Sequence, residues 1–127
     1  MRTMQWVILG LALNAQAVLA EDANPYSGTW DAKLISKKGE HRSGQVILTD
    51  TGGTWDFDWQ SPNNPCVGKR SPVAVQRVSP DELVFEVQRS KALKGCKDSI
   101  ASMKRVSETT LQGELDDGRK LTLIRKK

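Results

Sequence analysis

Trp55-Asp56-Phe57-Asp58-Trp59 places three aromatic rings at alternate positions with two carboxylates between them. Successive side chains of a strand point to opposite faces, so this stretch reads as a strand with one face buried and one in water. The same two-residue period recurs on both sides of it. Upstream, Trp30, Ala32 and Leu34 alternate with Asp31 and Lys33, and Val46 and Leu48 repeat the pattern. Downstream come Val73 and Val75, then Leu83, Phe85 and Val87, then a segment over 99–106. Leu111, Gly113 and Leu115 follow, and Leu121 and Leu123 close the series. The segment at 99–106 is ambiguous, because Ala101 and Met103 compete with Ile100 and Val106 for the inward face.

Turn residues separate these eight segments. Lys37-Lys38-Gly39-Glu40, Thr51-Gly52-Gly53 and Asp116-Asp117-Gly118 carry the glycines that hairpins with positive φ require. Ser79-Pro80-Asp81-Glu82 has proline at a favoured position of a type I turn. Residues 90–98 have room for a single helical turn, and no longer helical period is present. Eight short strands joined mostly by tight turns predict an all-β, antiparallel up-and-down meander, closed as a lipocalin-like barrel or folded as a β-sandwich.

The start of the chain reads differently. Met1-Arg2, the apolar run Val7–Leu13 and Val18-Leu19-Ala20 follow the order of a secretory signal peptide. The apolar run is too short to span a bilayer, which takes about 20 residues. The expected organisation is a signal peptide over 1–20, a loose lead-in over 21–27 and one β-domain over 28–127. Removal of residues 1–20 takes away Arg2 and no acidic residue. That leaves 107 residues with 18 Lys and Arg against 15 Asp and Glu, a net charge of +3. The expected location is the periplasm or the exterior.

Cys66 and Cys96, 30 positions apart, are the only cysteines. In an oxidising compartment a lone pair is expected to be a disulfide. A metal site is not expected from one histidine and no C-x-x-C spacing, and no cofactor is expected. The meander provides a check, since alternate loops of an up-and-down sheet lie at opposite ends. Cys66 falls in the third loop and Cys96 in the fifth, so both belong to the same end and a bond between them is feasible.

Gly28-Thr29-Trp30 resembles the G-x-W that opens the first strand in calycins, the lipocalin and avidin group of ligand-binding barrels. The resemblance implies a barrel and assigns no functional residue.

Catalytic constellations are sparse. His41 lies in a polar turn between Glu40 and Arg42 with no nucleophile motif nearby. Asp56 and Asp58 share a face about 6.5–7 Å apart, but opposite the aromatic side, where nothing raises a carboxyl pKa. An enzyme is therefore not expected. Trp30, Trp55, Phe57, Trp59 and Phe85 are the inward rings, read as core or as the lining of an apolar pocket, with core favoured because eight strands enclose little space. Ile35, Ile47, Val84 and Ile124 break the outward faces.

Charge placement carries the functional expectation. The four loops at the disulfide end hold Lys37, Lys38, Arg42, Lys69, Arg70, Arg89, Lys91, Lys94 and Lys97 against Glu40, Asp98, Asp116 and Asp117, or +5. The opposite loops hold Asp50, Asp81, Glu82 and Glu108, or −4. Such a rim attracts anions. The expectation is a non-enzymatic binding protein docking an anionic envelope component, an acidic protein or a small ligand through Lys69, Arg70, Arg89, Lys91, Lys94 and Lys97. Nucleic acid is not expected, because no aromatics interleave with the basic loop residues. The alternative is an inhibitor or immunity protein that blocks a secreted hydrolase, a task suited to rigid loops. An envelope enzyme using Asp56 and Asp58 ranks last.

Overall fold

The structure is a computed structural model that describes residues 24–58 and 63–127. The expected signal peptide and Trp59 lie outside the described residues. Eight strands form one closed antiparallel barrel: β1 (Gly28–Ile35), β2 (His41–Leu48), β3 (Gly52–Phe57), β4 (Ser71–Val78), β5 (Glu82–Val87), β6 (Ser99–Ser107), β7 (Thr110–Leu115) and β8 (Lys120–Arg125). A single helical turn, α1 (Arg89–Ala92), follows β5. Each strand pairs with its neighbour in sequence, and β8 closes on β1, Trp30 opposite Arg125 and Leu34 opposite Leu121. Among the described residues no helix is long and apolar enough to cross a membrane.

The period-2 pattern reads out directly as burial. Trp30, Ala32, Leu34, Val46, Leu48, Leu83, Phe85, Val87, Leu111, Leu115, Leu121 and Leu123 all point into one core. In β6 the competition resolves toward Ala101 and Met103, both buried, while Val106 is 59% exposed. A register shift between Arg105 and Ser107 accompanies this choice, as a bulge reorients the residues beside it. Gly39 and Gly118 adopt positive φ at the β1–β2 and β7–β8 turns, the conformation that favours glycine there. Ile47 and Ile124 sit on the outer wall, each 40% exposed.

Residues 24–27 are not the loose lead-in expected from sequence. They fold across one end of the barrel and close it. Tyr26 is 1% exposed, and its hydroxyl donates to the carbonyl of Ser79 at 2.7 Å. Trp30 Nε1 donates to the Tyr26 carbonyl at 2.9 Å. Asn24 braces the segment, accepting from the Tyr26 amide at 2.8 Å and donating to the Thr49 carbonyl at 3.0 Å. Arg125 stacks its guanidinium 4.3 Å from the centre of a Trp30 ring and donates to the carbonyls of Ser27 and Pro25. A buried phenol that keeps a partner avoids the desolvation cost of an unmade hydrogen bond, and burial raises its pKa.

Candidate functional site: the basic mouth

The opposite end is open. Cys66 and Cys96 are disulfide-bonded, joining the β3–β4 and β5–β6 loops over this end. Beneath them lies a cavity of about 340 Å³, with residues contributed by all four loops at this end. That volume is at the lower edge of the range for small-molecule sites.

The floor is apolar and comes from the ends of strands. Leu34 of β1 and Trp55 and Phe57 of β3 line it, Trp55 and Phe57 with ring centroids 4.6 Å apart. Trp55 also meets Phe85, one layer deeper, at 6.4 Å. A Cβ at Gly44 would lie 2.5 Å from the Asp56 carbonyl oxygen and 2.6 Å from Cγ of Phe57, so glycine at that position on β2 lets both the β3 backbone and the Phe57 ring approach. The five inward aromatics therefore divide. Trp30 and Phe85 are fully buried core, Trp55 and Phe57 lie at the boundary between core and cavity, and Trp59 lies outside the described residues.

The wall above this floor is charged. Arg42, Lys69, Arg89, Lys97 and Arg119 line the cavity, against the carboxylates of Glu40 and Asp117. Arg42 pairs with Glu40 at 3.4 Å, and Arg119 with Asp117 at 2.8 Å. Arg89 differs. Its Nη1 donates to the Ser99 hydroxyl at 2.7 Å, and its Cζ lies 5.6 Å from the centre of the Trp55 ring, within the reach of a cation–π contact. Among the described residues no carboxylate lies within 4 Å of it. Burial holds the Arg89 pKa below the usual arginine range, and the like charge of Arg119 adds to the effect, against the opposing pull of Asp117, Asp98 and Asp116.

Of the six basic residues singled out from sequence, Lys69, Arg89 and Lys97 line the cavity and Arg70, Lys91 and Lys94 do not. Arg70 pairs with Asp56 at 3.1 Å on the outer wall. Lys91 and Lys94 are exposed on the segment that runs from α1 toward Cys96. Arg119 is not among the six, since it lies one residue beyond the 116–118 turn. The signal that finds it is parity, because Leu123, Leu121 and Arg119 occupy successive inward positions of one strand line. Leu83, Phe85, Val87 and Arg89 do the same on another. His41 is exposed at the start of β2, and Asp58 is exposed beside the outer wall.

The loop at the rim is tied down by local bonds. Asp98 accepts from the Ser90 amide at 2.9 Å and the Ser90 hydroxyl at 3.0 Å, which lowers its pKa. Asn64 accepts from the Cys66 amide at 3.1 Å.

No family model and no curated protein matches this chain. Among solved structures it is similar to a de novo designed fluorescence-activating β-barrel, at 24% identity and a TM-score of 0.52, over 83% of this chain and 98% of that one. Two redesigned β-barrels are also similar. One, at 18% identity and TM-score 0.49, covers 81% of this chain and 93% of its own. The other, bound to DFHBI, is 14% identical at TM-score 0.46, over 80% and 95%. The likeness to the first of these, at that identity, shows the fold alone: this chain is an eight-stranded antiparallel β-barrel.

Proposed function

We propose that the protein is an exported, non-enzymatic binding protein that takes a small anionic ligand into its basic, disulfide-bridged mouth. One observation carries this reading: among the described residues, an apolar hollow of ligand size is ringed by five cationic residues and two carboxylates. Apolar surface supplies affinity and a few placed charges supply orientation in such sites. The basic rim also raises the local concentration of anions and speeds their arrival. Export is supported by the N-terminal pattern and by the disulfide, which persists in oxidising compartments. Hydrolase inhibition ranks second, because the rim loops surround a hollow instead of projecting a segment into a partner's cleft.

Titration with 1-naphthalenesulfonate, a small organic anion, tests the reading. Trp55 fluorescence should change saturably, and the Kd should rise with salt as the rim charges are screened. Leu34→Trp, which fills the hollow from its floor, should abolish binding while leaving the barrel folded. Equal binding by this variant, or no binding by the wild type, would overturn the reading.

A further inference from the structure

The three arginines of the mouth do not offer the same thing to a ligand. Arg42 and Arg119 each hold a carboxylate of their own, Glu40 and Asp117. Arg89 holds a hydroxyl, Ser99, and a ring face, Trp55. Neither neutralises a guanidinium. Among the described residues, the partly buried wall of the mouth therefore carries one guanidinium, that of Arg89, with no carboxylate in contact, while Lys69 and Lys97 stand exposed at the rim. Arg89 is also directed inward by construction. It continues the inward line of Leu83, Phe85 and Val87, and its partner Ser99 is 6% exposed and opposite Val87 in the barrel wall.

Building on the proposed function, we infer that the ligand is an amphipathic monoanion whose apolar body rests on the floor against Leu34 and Phe57, under Val67, while Arg89 in the wall above accepts its head. A carboxylate or sulfonate suits the fork of donors that a guanidinium presents. Arg119 is held by Asp117, and its charge and those of Asp117, Asp98 and Asp116 act on Arg89 in opposing senses, so the head is held by Arg89 itself. A dianion fits less well, because its second charge meets Glu40 and Asp117 with no buried cation left to balance it. A neutral head leaves Arg89 as it is and gains only the apolar contacts. The apolar surface lies both below and beside the charge, with Val67 and the disulfide above, so the body is covered once the head is seated.

The experiment is calorimetric titration of the full mature protein with three probes of one body: 2-naphthoate, 2-naphthamide and 2-naphthyl phosphate, at physiological salt. 2-Naphthoate should bind at least tenfold tighter than either of the others, as a charge-assisted hydrogen bond outweighs a neutral one by about that factor. Arg89→Gln should remove the preference for naphthoate over naphthamide and leave naphthamide binding within about twofold. Arg89→Lys should restore part of the preference, which separates charge recognition from a structural role. Lys69→Gln and Lys97→Gln should each weaken naphthoate by less than about threefold. The inference falls if the preference survives Arg89→Gln, if it depends on the rim lysines, or if the phosphate binds as tightly as the carboxylate. Those outcomes leave the proposed function standing, whereas failure of 1-naphthalenesulfonate to bind removes both.

Discussion

At one end of the barrel Tyr26, Trp30 and Arg125 stack over the strand ends, and the Tyr26 hydroxyl, Trp30 Nε1 and both terminal nitrogens of Arg125 donate to carbonyls. At the other end Trp55 and Phe57 stop short, and the space above them is left to arginines and a disulfide. Both ends come from the same eight strands with the same inward alternation. They differ in the residues that take up this alternation at the ends of the ladders and beyond them. At the closed end an aromatic side chain from outside the sheet fills the bore. At the open end the inward positions pass to Arg42, Arg89 and Arg119, whose charges resist complete burial. A barrel of this size is filled by side chains by default. A hollow at one end therefore results from charge placed where apolar volume is expected.

The widest test of this contrast is truncation of one ring at each end. Trp30→Ala should cost about 3–5 kcal/mol, the range for a large aromatic removed from a packed core. Trp55→Ala should cost less, about 2–3 kcal/mol, because one side of the ring already borders open space. Urea denaturation measures both, and equal losses would break the comparison. Replacing both cysteines by serine should cost roughly 3–4 kcal/mol from restored loop entropy. Amide exchange should then rise in the β3–β4 and β5–β6 loops and stay unchanged at Tyr26 and Trp30. Acceleration at both ends would mean that they are not independent units.

Tyr26→Phe sharpens the comparison on a finer scale. It removes the bond to Ser79 while keeping the ring, so the loss should be about 1 kcal/mol, with ligand binding at the mouth untouched. The smallest effect is acid loosening of the rim. Asp98 has a depressed pKa, so its contribution is fully present above the ordinary carboxylate range and is lost as pH falls through its folded value. Exchange of the Ser90 amide should therefore accelerate, relative to its intrinsic rate, below about pH 4, and Asp98→Asn should remove that dependence.

Much of this architecture is legible in the residues alone. Alternation such as that of Trp55, Asp56 and Phe57 is local, and counting loops is enough to place Cys66 and Cys96 at one end. The plug is not legible, because Pro25-Tyr26-Ser27 has no period and Tyr26 is buried only once the strands around it exist. Charges are legible as totals but not as directions. Lys91 and Lys94 sit in the right loop yet are exposed and do not line the cavity, whereas Arg119 sits outside the turn and lines it. The closed end is less acidic than its loop total implies for the same reason. Glu82 meets Arg77 and Lys104, and Arg105 reaches the Pro80 carbonyl, all brought there by strand register.

The closure of β8 on β1 has a kinetic consequence. Seven of the eight ladders are hairpins between strands adjacent in sequence, and these close cheaply and early. The eighth is a seam, and its sealing bond from Arg125 to Ser27 spans 98 positions. Closing a loop of that length costs about 2 kcal/mol more entropy than closing a ten-residue one. Until that cost is met the chain is an open sheet with two bare edges, the state in which β proteins find each other instead of themselves. Arg125 serves as the latch on this seam. It brings a cation to the edge of β8 before closure, which discourages pairing with another chain, and afterwards it locks the first strand to the last across the face of Trp30.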